Sequence, residues 1–228
     1  MVNTFNKDVA ALVPAAGLGK RLGLGPKAFL SIGGISLVNR VVNTLTTCVG
    51  RVLVGVPHSY IDKAISELGG VAEVYPGGAS RQSTIYILLQ KCAERIILIH
   101  DGNRPFASTA LVMRVIDEAR RHGAAIAFTT ALIPFARLEG GFVTSPVPSH
   151  EAIVPQSPQA FHHDILQQAY KNAFESEIED QTTWELTLRL GVKVAAVEGE
   201  DTNIKITSPL DWEIASKVVA PLMQQQKK

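Results

Sequence analysis

The chain has 228 residues, enough for one α/β domain with a large buried core, and 46% hydrophobic against 19% charged residues excludes a disordered chain. Lys and Arg number 22 and Asp and Glu 21, a formal net charge of +1, so a protein living on non-specific nucleic-acid contacts is excluded too. Cys48 and Cys92 stand apart, with neither zinc spacing nor a Cys-x-x-Cys pair, and read as buried thiols of a reducing compartment.

In chain order, the N-terminal residues lack an apolar signal core, and no apolar run approaches the ~18 residues of a membrane helix. A cytoplasmic protein with no membrane partner is expected. Residues 9–14, 51–56, 95–100 and 124–130 are short runs, nearly all apolar, as in strands covered on both faces of a parallel sheet. Helical patterns fill 36–47, 59–68, 80–92 and 108–122, each starting at or beside a serine, a good N-cap. This alternation predicts a doubly wound, mostly parallel sheet with right-handed crossovers. Between 131 and 160 the rhythm breaks at seven Pro and Gly residues. Residues 142–144 and 152–154 are expected to pair as strands of a β-arm projecting over about 131–156. Helices return at 162–175 and 181–190, followed by strands at 193–197 and 204–206, a last helix over 208–219, and a frayed tail from Gln224. The whole chain reads as one domain.

The first strand runs into Pro14-Ala15-Ala16-Gly17-Leu18-Gly19-Lys20-Arg21-Leu22-Gly23. Small residues let the backbone approach a ligand, and successive N–H groups cradle phosphate. Lys20, Arg21 and Lys27 add one sign of charge, which suits a triphosphate. The loop lacks the third glycine of a dinucleotide fingerprint, and the chain has no Walker string. Asp101 follows an apolar strand, at the edge where open sheets bind ligands. It suits a metal ligand, with a turn cap as the alternative.

The loop, together with Pro26-Lys27-x-Phe29-Leu30, resembles nucleotidyltransferases of the glycosyltransferase-A-like, Rossmann-like fold, and more closely the 2-C-methyl-D-erythritol 4-phosphate cytidylyltransferase family. Gly77-Gly78-Ala79-Ser80-Arg81-Gln82-Ser83-Thr84, His100-Asp101-Gly102-Asn103-Arg104-Pro105, Ser157-Pro158-Gln159-Ala160-Phe161 and Asn203-Ile204-Lys205-Ile206-Thr207 with Pro209 and Asp211 match that family's motifs in order, over about residues 8–217. The resemblance implies attack of a phosphate-type oxygen on the α-phosphorus of CTP, with Arg21, Lys27 and Lys205 as catalytic cations and Asp101 holding Mg²⁺. It also implies nucleotide binding by Pro14, Ala15, Ala16, Gly17, Gly19, Lys20, Gly78, Ala79, Arg81 and Thr84. Arg81 is read equally as a structural residue that closes its loop. Arg104 is expected to organise the site or bind the acceptor.

The arm departs from the family pattern. Phe135 and Ser149 stand where the family has the Thr and Arg that grip the acceptor phosphate across a homodimer interface. Two readings follow: a cytidylyltransferase with a different anionic acceptor, plausibly a phosphonate, helped by His58, Arg137 or His150; or a methylerythritol-phosphate enzyme with compensated substitutions. The first is the expectation. A non-catalytic nucleotide-binding protein is the reading of another class, and the retained cations argue against it. His162-His163 read as a helix start, Trp184 and Trp212 as packing residues, and Asp180 as a weaker site candidate.

Overall fold

The protein was studied as a computed structural model, which describes residues 6–19, 25–179 and 182–225. Seven strands form the central sheet: β1 (Val9–Pro14), β4 (Arg51–Val56), β5 (Glu73–Pro76), β6 (Ile96–Ile99), β7 (Ala124–Thr130), β10 (Ile153–His162) and β11 (Ala195–Glu198). Between β1 and β4 lies a small two-stranded ribbon, β2 (Ser31–Ile32) with β3 (Ile35–Ser36). The sheet order is β11-β7-β10-β6-β1-β4-β5, and every pairing is parallel except those of β10. This is the expected mostly parallel sheet.

The apolar runs have their reason in the two layers. On β1, Val9, Ala11 and Val13 face one core while Ala10 and Leu12 face the other; on β6, Ile96 and Leu98 split from Ile97 and Ile99 in the same way. Alternate residues point to opposite faces of a strand, so covering both faces requires apolar side chains throughout. The first core is roofed by α1 (Leu37–Leu45), α2 (Ile61–Leu68) and α4 (Thr109–His122), through residues such as Val41, Ala64 and Val115. The second is roofed by α3 (Arg81–Leu89), α5 (His163–Glu175) and α6 (Thr183–Arg189), through Leu88, Tyr170 and Leu186. Ser36, Ser80 and Ser108 cap α1, α3 and α4, each accepting a backbone N–H three residues on. Before α2 the chain makes a 3₁₀ turn at His58–Tyr60, so Tyr60, not Ser59, precedes that helix.

The structure departs from the sequence reading in four places. Residues 142–144 do not pair with 152–154. Instead β9 (Phe142–Val147) folds back on β8 (Phe135–Glu139) across Gly140-Gly141, while β10 leaves the arm and enters the central sheet between β6 and β7. Prolines and polar residues hide β10 in the sequence, yet Gln156 to Phe161 are buried. No strand forms at 204–206: Ile206 N–H bonds the carbonyl of Asn103 in a turn, not a ladder. Residues 73–76, unassigned from sequence, form the half-buried edge strand β5. The last helix runs from α7 (Pro209–Ile214) through a π-helical turn at Ala215–Val219 into α8 (Ala220–Gln225), and its buried residues join Ile32, Leu37 and Phe106 in a third core. Among the described residues no helix is long and apolar enough to cross a membrane.

Candidate active site

The parallel strands β1, β4, β5 and β6 all end at one edge of the sheet, and their following loops surround a cavity of about 760 Å³, a size suited to a nucleotide. The loop after β1 is tied at its root by Ala15 N–H to the carbonyl of Gly55, 2.8 Å. Gly19 has φ +68°, and a side chain there would run into the carbonyl of Gly25. The loop after β5 leans on the first so closely that a Cβ on Gly77 would strike that of Ala16. Such an approach of two backbones requires Gly and Ala at the contact.

Thr84 braces the second loop from α3. Its hydroxyl accepts Gly78 N–H at 3.0 Å and donates to the carbonyl of Ser80 at 2.8 Å. The hydroxyl hydrogen and the Gly78 N–H are thus spent inside the loop, and what Thr84 offers a ligand is a remaining lone pair.

Two stretches bring charge. Lys27 sits in a 3₁₀ turn anchored by Phe29, whose buried ring lies 4.9 Å from that of Tyr60. Lys27 Nζ donates to the carbonyl of Thr207, 2.7 Å away. Thr207 is itself gripped by Asp211, whose Oδ2 accepts the Thr207 N–H at 2.8 Å and its hydroxyl at 2.5 Å. At the same cavity, Asp101 Oδ2 lies 2.8 Å from Lys205 Nζ and its Oδ1 lies 3.0 Å from Arg81 Nε. Burial alone would raise the Asp101 carboxyl; Arg81 and Lys205 overcome this and hold it well below the usual carboxylate range. Arg81 also donates from Nη1 to Thr183 Oγ1 at 3.3 Å, so it orients the carboxylate while lining the cavity.

Lys27, Lys205, Asp101, Arg81, Thr84, Gly78, Ala79 and the loop residues Pro14, Ala15, Ala16, Gly17 and Gly19 all border this cavity. Lys20, Arg21 and Asp180 lie outside the described residues. Arg104, expected to organise the site or bind the acceptor, is not at the cavity wall. Its guanidinium is buried and donates to the carbonyls of Asn203 at 2.6 Å and Pro155 at 3.5 Å. Those carbonyls turn it inward as a brace. Phe135 and Ser149 lie on the arm, away from the cavity wall of their own chain.

His58, one of three residues expected to help with a different acceptor, borders the cavity from the turn after β4; sequence reasoning missed Ser157, whose hydroxyl accepts Asp101 N–H at 3.0 Å. The place of Ser157 in a recognised motif was the available signal; its partner was not readable. His100, beside Asp101, is fully enclosed, and burial pushes its imidazole down to about 4.

Asp101 is the one carboxylate among the described residues at the cavity wall, and among those residues no group of three potential metal-ligating side chains occurs. That donor set does not suit a metal cage made by protein alone. It suits Mg²⁺, which takes one or two carboxylates and draws its other ligands from substrate phosphates and water.

The family model of 2-C-methyl-D-erythritol 4-phosphate cytidylyltransferase matches residues 9–220. The enzyme of that name from Thermus thermophilus is 37% identical over 208 residues, 91% of this chain and 95% of the relative. The one from Deinococcus radiodurans is 35% identical over 213 residues, 93% and 90% of the two chains. The crystal structure of the Thermus thermophilus enzyme superposes with a TM-score of 0.79 at 33% identity, over 93% of this chain and 98% of that one. A 4-diphosphocytidyl-2C-methyl-D-erythritol synthase from Anaerococcus prevotii gives a TM-score of 0.86 at 23% identity, over 94% and 96%, a likeness of fold alone.

Proposed function

This chain belongs to the 2-C-methyl-D-erythritol 4-phosphate cytidylyltransferase family, and on that premise we propose that it transfers CMP from CTP to 2-C-methyl-D-erythritol 4-phosphate, releasing pyrophosphate. The observation that carries this reading is the cavity wall itself: Lys27, Lys205 and Asp101 line it together with two tightly apposed small-residue loops. An acceptor phosphate oxygen attacks the α-phosphorus, the bond from that phosphorus to the bridging oxygen breaks, and pyrophosphate leaves. No covalent enzyme intermediate is needed, so alignment and charge neutralisation supply the acceleration.

In this scheme Lys27 and Lys205 neutralise charge on the α-phosphate and leaving group. Their fixed partners, the Thr207 carbonyl and Asp101, hold the two ammonium groups ready. The base is taken to lie where the loops of Ala16 and Gly77 meet, a contact close enough to require small residues. Asp101 would hold Mg²⁺ together with the triphosphate, and the ion would supply further neutralisation of the phosphates.

The acceptor follows the names borne by relatives 37% and 35% identical over nearly the whole chain. Those names favour this acceptor over the different one expected from Phe135 and Ser149. The protein acts as a homodimer through the arm: among the described residues β8 and β9 pair only with each other, and Leu138, Phe142 and Val143 on them are 71%, 77% and 73% exposed. So much apolar surface on a lone hairpin needs a partner surface to stay ordered.

The test is pyrophosphate release with CTP, UTP, ATP and GTP against a panel of methylerythritol phosphate, other polyol phosphates and phosphonates. Fastest turnover with CTP and methylerythritol phosphate is the expected result. A phosphonate with the higher specificity constant restores the altered-acceptor reading, and no turnover with any pair ends both.

A further inference from the structure

We infer that Ser157 and His100 are positioning residues that set Asp101 against Lys205 for the transfer step, an inference that rests on the proposed cytidylyl transfer. Neither residue borders the cavity, so any effect passes through Asp101.

On a neutral imidazole the donors and acceptors allow one arrangement only. His100 Nε2 lies 2.9 Å from the carbonyl oxygen of Arg104. A carbonyl only accepts, so Nε2 carries the hydrogen and Nδ1 is the acceptor. Nδ1 lies 3.1 Å from Ser157 Oγ, so the hydroxyl donates to the ring. The same oxygen accepts Asp101 N–H at 3.0 Å. The turn also closes on itself, Arg104 N–H to the Asp101 carbonyl at 3.0 Å. One imidazole therefore holds both ends of the 101–104 turn, the near end through Ser157 and the far end directly.

Ser157 also reaches the other half of the charged pair. Its carbonyl accepts from Asn203 Nδ2 at 2.7 Å, and the carbonyl of Asn203, two residues before Lys205, accepts from Arg104 Nη1 at 2.6 Å. His100 and Ser157 are each 2% exposed and Asn203 is fully buried. A buried network with each of these bonds made is rigid, and a missing member leaves its partners without water to replace it. The ladder of β10 shifts register between Gln156 and Gln159, beside the site, and Ser157 lies inside that shift. Loss of the Ser157 hydroxyl leaves Asp101 N–H and His100 Nδ1 facing one another across a hole.

The experiment compares the full-length wild type with S157A, S157C and S157T. S157A is expected to lower kcat about 10- to 100-fold, the cost of a small misplacement of a catalytic group, while the Kd for CTP measured by calorimetry stays near the wild-type value. S157T keeps the hydroxyl and recovers most of the loss; S157C, a weaker donor, falls between. Independently of activity, ¹⁵N NMR of the wild type at neutral pH should show His100 as the Nε2–H tautomer. Unchanged kcat in S157A, a loss of CTP affinity as large as the loss of kcat, or the Nδ1–H tautomer overturns the inference. If S157A does not fold, S157C and the tautomer decide. If the wild type transfers no CMP, the functional reading fails while the tautomer still tests the hydrogen-bond chain.

Discussion

Lys205 Nζ lies 2.8 Å from Asp101 Oδ2 while Arg81 Nε holds the other carboxylate oxygen at 3.0 Å. A divalent cation that reaches Asp101 competes with both groups, and a triphosphate offers Lys205 an alternative partner. Lys205→Met is therefore expected to strengthen nucleotide-free Mn²⁺ binding, read by electron paramagnetic resonance. Lys205 is half-exposed, so the pair is worth about 1 kcal/mol, or about fivefold in affinity. The same variant should lose about 100-fold in kcat, the usual consequence of removing one group that meets developing charge. Unchanged Mn²⁺ affinity would show that the ion pair does not oppose the metal.

Lys27 is expected to act on turnover more than on binding. Lys27→Ala should lower kcat about 100-fold and change the Kd for CTP far less, because the cation meets charge that grows in the transition state. Stopped-flow turnover beside calorimetry checks the split. Equal losses in both would make Lys27 a binding residue.

Thr84→Val removes the oxygen that pairs with Gly78 N–H and the hydrogen that goes to Ser80. Thr84 is 1% exposed, so water does not replace these bonds. A stability loss of about 1–3 kcal/mol is expected, with weaker CTP binding as the loop loosens. Denaturant midpoints and calorimetry read the two effects, and a Val variant that binds CTP normally removes Thr84 from the site.

Acid should weaken the fold through His100. In the unfolded chain its imidazole gains a proton near pH 6.5; in the folded chain it does so only near pH 4, because burial disfavours the cation. Between those values the unfolded state holds the extra proton, so stability is present above pH 6.5 and falls as the pH drops towards 4. The full loss is about 3 kcal/mol. Urea midpoints at steps between neutrality and pH 4.5 measure it, and His100→Asn should flatten that part of the curve.

The arm predicts an assembly. Leu138→Glu with Phe142→Glu places two charges on the exposed apolar hairpin, and the double variant should sediment as a monomer with its secondary structure kept. An unchanged dimer would place the interface elsewhere.

The sequence alone determined the periodic parts. Strands covered on both faces must be apolar at nearly every position, and serines before apolar-periodic runs must cap, so β1, β4, β6, α1, α3 and α4 were legible in it. The motif residues Lys27, Lys205, Asp101 and Gly78 were legible as a set as well, because their residue types and order carry the family pattern. Only the tertiary structure decided which strand pairs with which. It sent β10 back into the sheet against a proline-rich composition, since pairing depends on contacts from Ile96 to His162 that no local pattern encodes. The same is true of partners: Arg104 and Arg81 look alike in sequence as cations near a site. One is turned inward by the carbonyls of Asn203 and Pro155, while the other faces Asp101 at the cavity. A charge is written in the chain, but its partner is chosen by packing between segments here 20, 51 and 99 residues apart.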